Sequence, residues 1–376
     1  MSANGTVAPP AREEAQAVLT IDLAAIVDNW RALARIAGGA ECAAVVKADA
    51  YGTGLEEAVL ALSRAGCATF FIAHASEARR ARAALGSAHA RIYALNGLLQ
   101  SEAVARALLA ADATPVIGSP EEWRAWLAHA PGRPCALHID TGMNRLGASA
   151  DEARAIAAHA NAGSIELVMS HFVSSEEPDN ALNARQIEAF GALRPLFPNA
   201  RASMANSSGV LLRQKPHYDL VRPGYALYGG NPSPGAANPM KPVVTLDAPI
   251  LRVRRVKAGA TVGYNATWTA ARDSVLAVIG AGYADGLLRS ASGSHGARGG
   301  EAIIGGARCP FVGRVSMDII VMDATDAPHE AVKPGAAARL LGPEITVDDL
   351  AERAGTIGYE ILTSLGRRYH RVYVGG

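Results

Sequence analysis

The chain lacks the signatures of most specialised protein classes. Its 376 residues include only four cysteines, Cys42, Cys67, Cys135 and Cys309, widely scattered and without a C-x-x-C pair. That spacing indicates neither a zinc ribbon nor a disulfide framework, and it fits a reducing, cytoplasmic setting. Neither sign of charge is in excess: 36 basic and 35 acidic residues leave a formal net charge of +1. Nothing therefore draws the chain to nucleic acid or to a membrane surface. No apolar run approaches membrane-spanning length. Residues 1–16 contain no apolar core of the signal-peptide kind and read as a disordered tail. G-x-x-x-x-G-K-[ST], G-x-S-x-G and H-E-x-x-H are missing too. The stretch Val278–Gly286 approaches a dinucleotide fingerprint, but its third glycine comes one position late and no helix plainly follows.

What is present is a globular composition, 49% apolar and 19% charged. The length suggests two domains, or one large barrel with an appendage. From about residue 43 to 230, short apolar strands alternate with helical patterns. The strands are expected at 43–48, 69–74, 91–96, 114–118, 135–140, 166–171, 200–206 and 218–224. Eight strands with crossovers predict a (β/α)8 TIM-like barrel; an open doubly wound sheet is the rival. Lys47, His74, Asn96, His171, Asn206 and Arg222 fall near the carboxyl ends of these strands, and Arg145 follows the fifth. Barrel active sites are built from that face, which favours the barrel. Beyond the Gly/Pro-rich linker at 229–235, period-two segments and glycine turns predict a mostly antiparallel β domain, with a last helix at 347–355. The expected division is a tail at 1–16, the barrel at 17–235 and the β domain at 236–376.

Several residues invite chemistry. Lys47 ends the apolar run Ala44–Val46. Burial disfavours an ammonium, and a neutral amine is a nucleophile able to form a Schiff base with an aldehyde. The alternative is a strand-end lysine reaching water. Tyr51, followed by Gly52 and Gly54, offers a phenol and a flexible turn where a phosphate would sit. Asn206-Ser207-Ser208-Gly209 and Arg222-Pro223-Gly224-Tyr225 offer hydroxyls and backbone N–H groups in the loops where barrels often bind phosphate. Arg145 presents a planar fork suited to carboxylate, phosphate or phenolate, or else is a surface arginine. His171 lies at the same face, as a catalyst or a structural group. His138 and Asp140 share a strand face and resemble half of a metal site, without the further ligands such a site needs. Tyr264 stands in a turn of the second domain, as a base beside cationic partners or as a packing residue.

The ordered set VVKADAYG, DTGMNRLG, SHF, NSSG, VRPGYALYG, VGYNATW, GYADG, GRVSMD and GYE, running from about residue 18 to the C-terminus, resembles the alanine racemases, a pyridoxal-phosphate family. The resemblance implies a barrel followed by a β domain, a head-to-tail homodimer with shared active sites, alanine as substrate, pyridoxal 5'-phosphate as cofactor and no metal. It implies that Lys47 binds the cofactor covalently. Tyr51, Ser207, Gly224, Tyr225 and Tyr359 would hold its phosphate, with Asn206 beside them. Arg222 would face the pyridine nitrogen, and His171 would lie beside the ring and link Arg222 to Tyr264. Arg145 would contact the ring's phenolic oxygen and orient the substrate carboxylate or Tyr264. Met317 would offer a backbone group to the substrate, with Asp318 and Tyr283 at the entrance. Lys47 and Tyr264 of the partner subunit would be the two bases, on opposite faces of the α-carbon.

One position departs from the family. Many members carry a carbamylated lysine two residues before Asp-Thr-Gly, where it fixes the arginine; here that residue is His138. The expectation is that Arg145 is held by His138, another side chain or a bound anion. Other readings remain beside this one. They are a broad-specificity racemase acting on serine or basic amino acids, and a basic amino-acid decarboxylase, disfavoured by the missing Cys-Glu pair. A non-catalytic pyridoxal-phosphate carrier is disfavoured by residues 241–376. Without the resemblance, a metal-dependent barrel hydrolase remains. Supply of D-alanine for peptidoglycan and D-alanine catabolism stay equally open.

Overall fold

Parallel strands covered on both faces read as continuous apolar runs, and that is how the barrel strands are written in this sequence. The structure is a computed structural model that describes residues 10–376. Residues 24–241 form one unit; the residues up to Leu23 and Pro242–Gly376 form the other.

In the first unit the segments Glu41–Cys42, Ala44–Val45, Thr69–Ile72, Arg91–Ala94, Thr114–Ile117, Cys135–His138, Ile165–Met169, Arg201–Ser203 and Leu220–Val221 make one parallel sheet. Only Ala43 separates the first two, so the nine segments are eight strands. The sheet closes on itself: Leu220 pairs with Glu41 on one side while Ala44 pairs with Phe70 on the other. The Ala43 N–H donates to the Val221 carbonyl across the seam at 2.9 Å. The expected barrel is therefore present, and the open sheet is not. Helices Leu55–Arg64, Ala75–Leu85, Glu102–Ala110, Pro120–His129, Ala150–Ala157 and Ala181–Leu193 follow the first six strands. The last two strands are followed only by short 3₁₀ turns, Gly209–Leu211 and Tyr225–Tyr228. This lets the loops that carry Ser207 and Gly224 lie close together.

In the second unit the strand Val244–Val256 is the spine of an eight-stranded, mostly antiparallel sheet. Its first half pairs with Ala337–Leu341 and Val18–Asp22, its second half with Ser274–Ile279. The sequence reading assigned residues from 17 onward to the barrel. Val18–Asp22 instead lies in this sheet, antiparallel to Val244–Val256 and parallel to His370–Val374. Leu19 and Ile21 alternate inward and are fully buried, which is the physical reason for that placement. The barrel unit also runs past the expected boundary to Lys241. Residues 1–9 of the expected tail lie outside the described residues. Pro10–Gln16 form a turn in which Glu14 and Ala15 N–H groups donate to the Ala11 carbonyl, and the Pro10 carbonyl meets His370 Nδ1 at 3.0 Å. After the expected helix Val347–Ala354 comes a second one, Gly358–Ser364, that the sequence reading did not foresee. Among the described residues no helix is long and apolar enough to cross a membrane.

Leu19→Ala tests the strand assignment. Removing this fully buried side chain should destabilise the protein by about 2–5 kcal/mol, read by urea denaturation. A loss below about 1 kcal/mol would mean that the strand is peripheral.

Candidate active site

Lys47 follows the first barrel strand, and the backbone after it adopts an unusual shape. Ala48, Asp49, Ala50 and Tyr51 have φ of 55°, 56°, 52° and 54°, and Gly52 follows at 79°. Four non-glycine residues thus form one left-handed helical turn. L-residues lose about 1–2 kcal/mol each in this conformation, so the turn carries strain of roughly 4–8 kcal/mol. Internal hydrogen bonds offset part of it: Ala50 N to Val46 O at 2.9 Å, Gly52 N to Ala48 O at 2.8 Å and Gly54 N to Asp49 O at 2.9 Å. The sequence reading foresaw a flexible turn here; the structure has a tightly bonded one. The Lys47 ammonium is pulled below its ordinary pKa, first by burial and then by the Arg145 charge, with Glu77 acting in the opposite direction. The amine is thereby made more nucleophilic.

The turn delivers Tyr51 into the barrel, where the residue is buried. Its ring stacks on Tyr228 at 4.8 Å, and the Tyr228 hydroxyl donates to the Val45 carbonyl at 2.9 Å. The Tyr51 phenol lies against Gly224. A Cβ on residue 224 would stand 2.3 Å from the Tyr51 hydroxyl oxygen, so no other residue fits there. Ser207 Oγ accepts from the backbone N–H of Gly224 at 3.0 Å and of Ala226 at 3.2 Å. Tyr51, Ser207, Gly224 and the following Tyr225 are therefore brought together. The Tyr51 and Ser207 hydroxyls and the Gly224 and Ala226 N–H groups, which here donate to Ser207 Oγ, form a neutral cradle of the kind that holds a phosphate. Burial raises the Tyr51 pKa, so its hydroxyl stays protonated as a donor. Asn206 supports the cradle from behind: its Oδ1 accepts from Ser175 Oγ at 2.9 Å and from Gly209 N at 2.8 Å. Ser208, which follows Ser207, has a buried hydroxyl with no protein partner among the described residues. The Ala226 N–H was invisible to sequence reading because a backbone donor has no residue signature.

Arg222 is buried in the barrel with no acidic side chain paired to it among the described residues. Its guanidinium donates to Ser203 Oγ at 2.5 Å and to the Ser170 carbonyl at 2.7 Å, and it lies 3.5 Å from His171 Nδ1. Burial lowers its pKa to about 9, which leaves it charged at neutral pH. The same burial, together with the Arg222 charge, drives His171 well below its usual pKa and His138 to about 4. Both imidazoles are therefore neutral near pH 7. Arg222 and His171 are neighbours, as expected.

Of the holders expected for Arg145, which were His138, another side chain or a bound anion, the structure shows a side chain, Asp140, acting on the loop backbone. The Arg145 guanidinium has no side-chain hydrogen bond among the described residues, and His138 does not grip it. Asp140 anchors the loop instead, accepting from the backbone N–H groups of Gly142 at 2.7 Å, Met143 at 2.9 Å and Arg145 at 3.3 Å. The Asp140 oxygens to which the half-metal-site reading pointed thus serve the loop backbone. Among the described residues no group of three or more His, Cys, Asp or Glu side chains is placed to hold a metal. His138 packs against Gly147, whose φ of 114° turns the chain back. Gln186 fixes the loop from below, donating to Thr141 Oγ1 at 3.1 Å and to the His171 carbonyl at 2.9 Å.

The remaining sequence-predicted residues lie in the second unit. Tyr264 is 68% exposed at the tip of a hairpin in which Thr261 pairs with Thr269. Tyr283, Met317 and Asp318 are neighbours: Tyr283 N donates to Ser316 O and Ala284 N to Met317 O, each at 3.0 Å. Arg368 ties this corner together, reaching buried Asp285 at 3.1 Å and Asp318 at 2.8 Å. Tyr359 is half-buried on the unforeseen helix Gly358–Ser364.

Two stability tests follow from this geometry. The pKa of His138 is depressed in the folded chain, so its contribution is present above pH 6.5 and lost as pH falls through about 4. Urea unfolding of the cofactor-free chain should show His138→Gln losing less stability than the unaltered chain across that window, by ~3 kcal/mol; parallel curves would refute it. Ala48→Gly relieves an exposed left-handed alanine and should raise stability by up to ~1 kcal/mol. In a right-handed helix the same change costs about 1 kcal/mol, so thermal unfolding reads the sign directly.

The chain matches the family model of the alanine racemase N-terminal domain over residues 21–232, and that of the alanine racemase C-terminal domain over residues 243–373. It is 54% identical to the alanine racemase of Methylobacterium sp. (strain 4-46), over 95% of this chain and 97% of that protein. It is 52% identical to the alanine racemase of Methylobacterium nodulans, over 95% and 96%. The crystal structure of alanine racemase from Bartonella henselae with covalently bound pyridoxal phosphate superposes with a TM-score of 0.88 at 36% identity, covering 97% of this chain and 100% of that one. With both units matched in order and over half the residues shared with a relative of the same length, the chain belongs to the alanine racemase family of isomerases.

Proposed function

We propose that this protein interconverts L- and D-alanine with pyridoxal 5'-phosphate, as a head-to-tail homodimer in which each active site takes Tyr264 from the partner subunit. The observation that carries this reading is the grouping on one barrel face of a depressed-pKa lysine, a neutral phosphate cradle and a buried arginine without an acid. The relative from Bartonella henselae binds that cofactor covalently. The donor set fits it: the cradle suits a dianionic phosphate, the Lys47 amine suits an aldehyde, and the space beside Gly224 is taken by the Tyr51 phenol rather than by a Cβ at position 224.

When bound, pyridoxal phosphate supplies an electron-accepting ring that acidifies the α-hydrogen of an amino acid joined to it. Tyr51, Ser207, Gly224 and Tyr225 hold the phosphate, with Tyr359 assigned to the same group and Asn206 bracing the loop. Arg222 keeps its own proton, so it donates a hydrogen bond to a ring nitrogen without protonating it. Neutral His171 relays between Arg222 and Tyr264. Arg145, on the loop anchored by Asp140, meets the substrate carboxylate. Met317, Tyr283 and Asp318 line the approach. Lys47 Nζ takes or returns the α-proton on one face, and the phenol oxygen of Tyr264 does so on the other. Two bases on opposite faces give both enantiomers from one site. The four cysteines are buried free thiols, in keeping with a cytoplasmic protein.

Borohydride reduction followed by peptide mapping should place a pyridoxyl group on Lys47. Tyr264→Phe should slow racemisation by about 100-fold or more and slow solvent-proton exchange of one enantiomer more than the other. An adduct on another residue, or full activity in the phenylalanine variant, would overturn the assignment.

A further inference from the structure

The left-handed turn after Lys47 contains no glycine before Gly52, and its first residue, Ala48, is exposed. Neither backbone freedom nor packing at that residue explains why it keeps its hand. The restraint comes from the helix Ala75–Leu85. Residues at i and i+3 share one helix face, and Glu77 and Arg80 use that face to grip the turn.

Glu77 Oε1 accepts from the Ala48 N–H at 2.7 Å, the peptide that immediately follows Lys47. Its other oxygen accepts from Ala73 N at 2.8 Å and from His74 N at 3.4 Å. One carboxylate thus welds the start of the helix to the backbone at the lysine. Arg80 Nη2 reaches Asp49 Oδ1, in the middle of the turn, at 2.5 Å. The same guanidinium forks onto Glu56 through Nε at 2.7 Å and Nη2 at 2.6 Å. Asp49 Oδ1 also accepts from Leu55 N at 3.3 Å, which ties the turn to the start of the next helix. Charge-assisted bonds of this kind are the strong ones, and two of them fall on consecutive residues of a strained segment. Glu77 is also the acid whose charge opposes burial and Arg145 at Lys47.

We propose that Glu77 and Arg80 are positioning residues for Lys47 and Tyr51: they clamp the left-handed turn so that the amine and the phenol on its two ends stay at one fixed separation across the cofactor site. The clamp rests on the functional reading above, because it assigns a purpose to the placement of Lys47. It gives Glu77 a second effect, since a carboxylate one peptide away from the amine holds the Lys47 charge up against the barrel's positive interior. Loss of Glu77 should therefore alter both where the amine sits and how readily it sheds its proton.

The test uses the full chain in two states. In the cofactor-free chain, competitive acetylation with limiting acetic anhydride, read by mass spectrometry across pH, gives the Lys47 titration against the exposed Lys333. In parallel, equilibrium dialysis measures pyridoxal phosphate affinity. Glu77→Ala should move the Lys47 titration to lower pH, and Glu77→Ala and Arg80→Ala should each weaken the affinity by about tenfold. Glu77→Gln keeps an acceptor for the Ala48 N–H, so it should regain affinity while its Lys47 titration stays shifted. Arg80→Lys cannot span Asp49 and Glu56 as a fork, so it should regain affinity only in part. Folded variants whose Lys47 titration and affinity both stay within about twofold of the unaltered chain would overturn the clamp. If Glu77→Ala fails to fold, Glu77→Gln and Arg80→Lys decide by the same two readouts. An unaltered chain that takes up no pyridoxal phosphate would sink the functional reading instead, and the Lys47 titration would still decide the clamp.

Discussion

A guanidinium shut inside a barrel without a carboxylate is an expensive feature, and much of this site is arranged around it. Arg222 satisfies its donors with a serine hydroxyl and backbone carbonyls rather than with a counter-charge. Such an interior leaves positive potential unspent. The neighbouring imidazoles stay neutral, first because they are buried and then because of that charge; the Lys47 ammonium is lowered by its own burial and by Arg145. A paired acid would have cancelled that field locally and left burial alone to hold His171 and His138 down. The carboxylates that do approach the site, Asp140 and Glu77, are instead spent on backbone N–H groups.

The same economy separates rigid from exposed parts. Tyr51, Ser207, Gly224 and Arg222 are buried, multiply bonded and fixed by shape. Arg145 is exposed at its guanidinium and rigid at its backbone. Under the proposed function, a group that meets an incoming carboxylate has to be reachable by solvent, whereas a group that holds a phosphate gains by being dry. Strain collects at the junction between the two kinds, in the turn after Lys47, which is where preorganised sites commonly store it.

Much of this was legible in the sequence. The eight barrel strands are apolar runs, most of them separated by helical patterns, and the polar residues at their carboxyl ends mark the working face. The loops carrying Ser207 and Gly224 announce themselves through hydroxyls and glycine. What sequence could not show has physical causes. Val18–Asp22 is too short for its alternation to name a partner, and both strands it pairs with lie at the far end of the chain. The left-handed turn is spelled Ala-Asp-Ala-Tyr, residues that ordinarily favour the opposite hand. Its conformation rests on its own hydrogen bonds and on the tertiary contacts of Glu77 and Arg80. Asp140 looked like a possible ligand because its residue type is right; only the bonding of the Gly142–Arg145 backbone reveals its actual work.

The strand Val18–Asp22 sits between Val244–Val256 and His370–Val374. Its parallel neighbour, His370–Val374, is made only after the whole barrel sequence. The barrel sequence is thus an insertion within a discontinuous domain, and a nascent chain can complete the inserted part while the outer sheet still lacks an edge. Val18–Asp22 must wait for partners made after the barrel, so the outer domain has to form by closing a loop the size of an entire barrel.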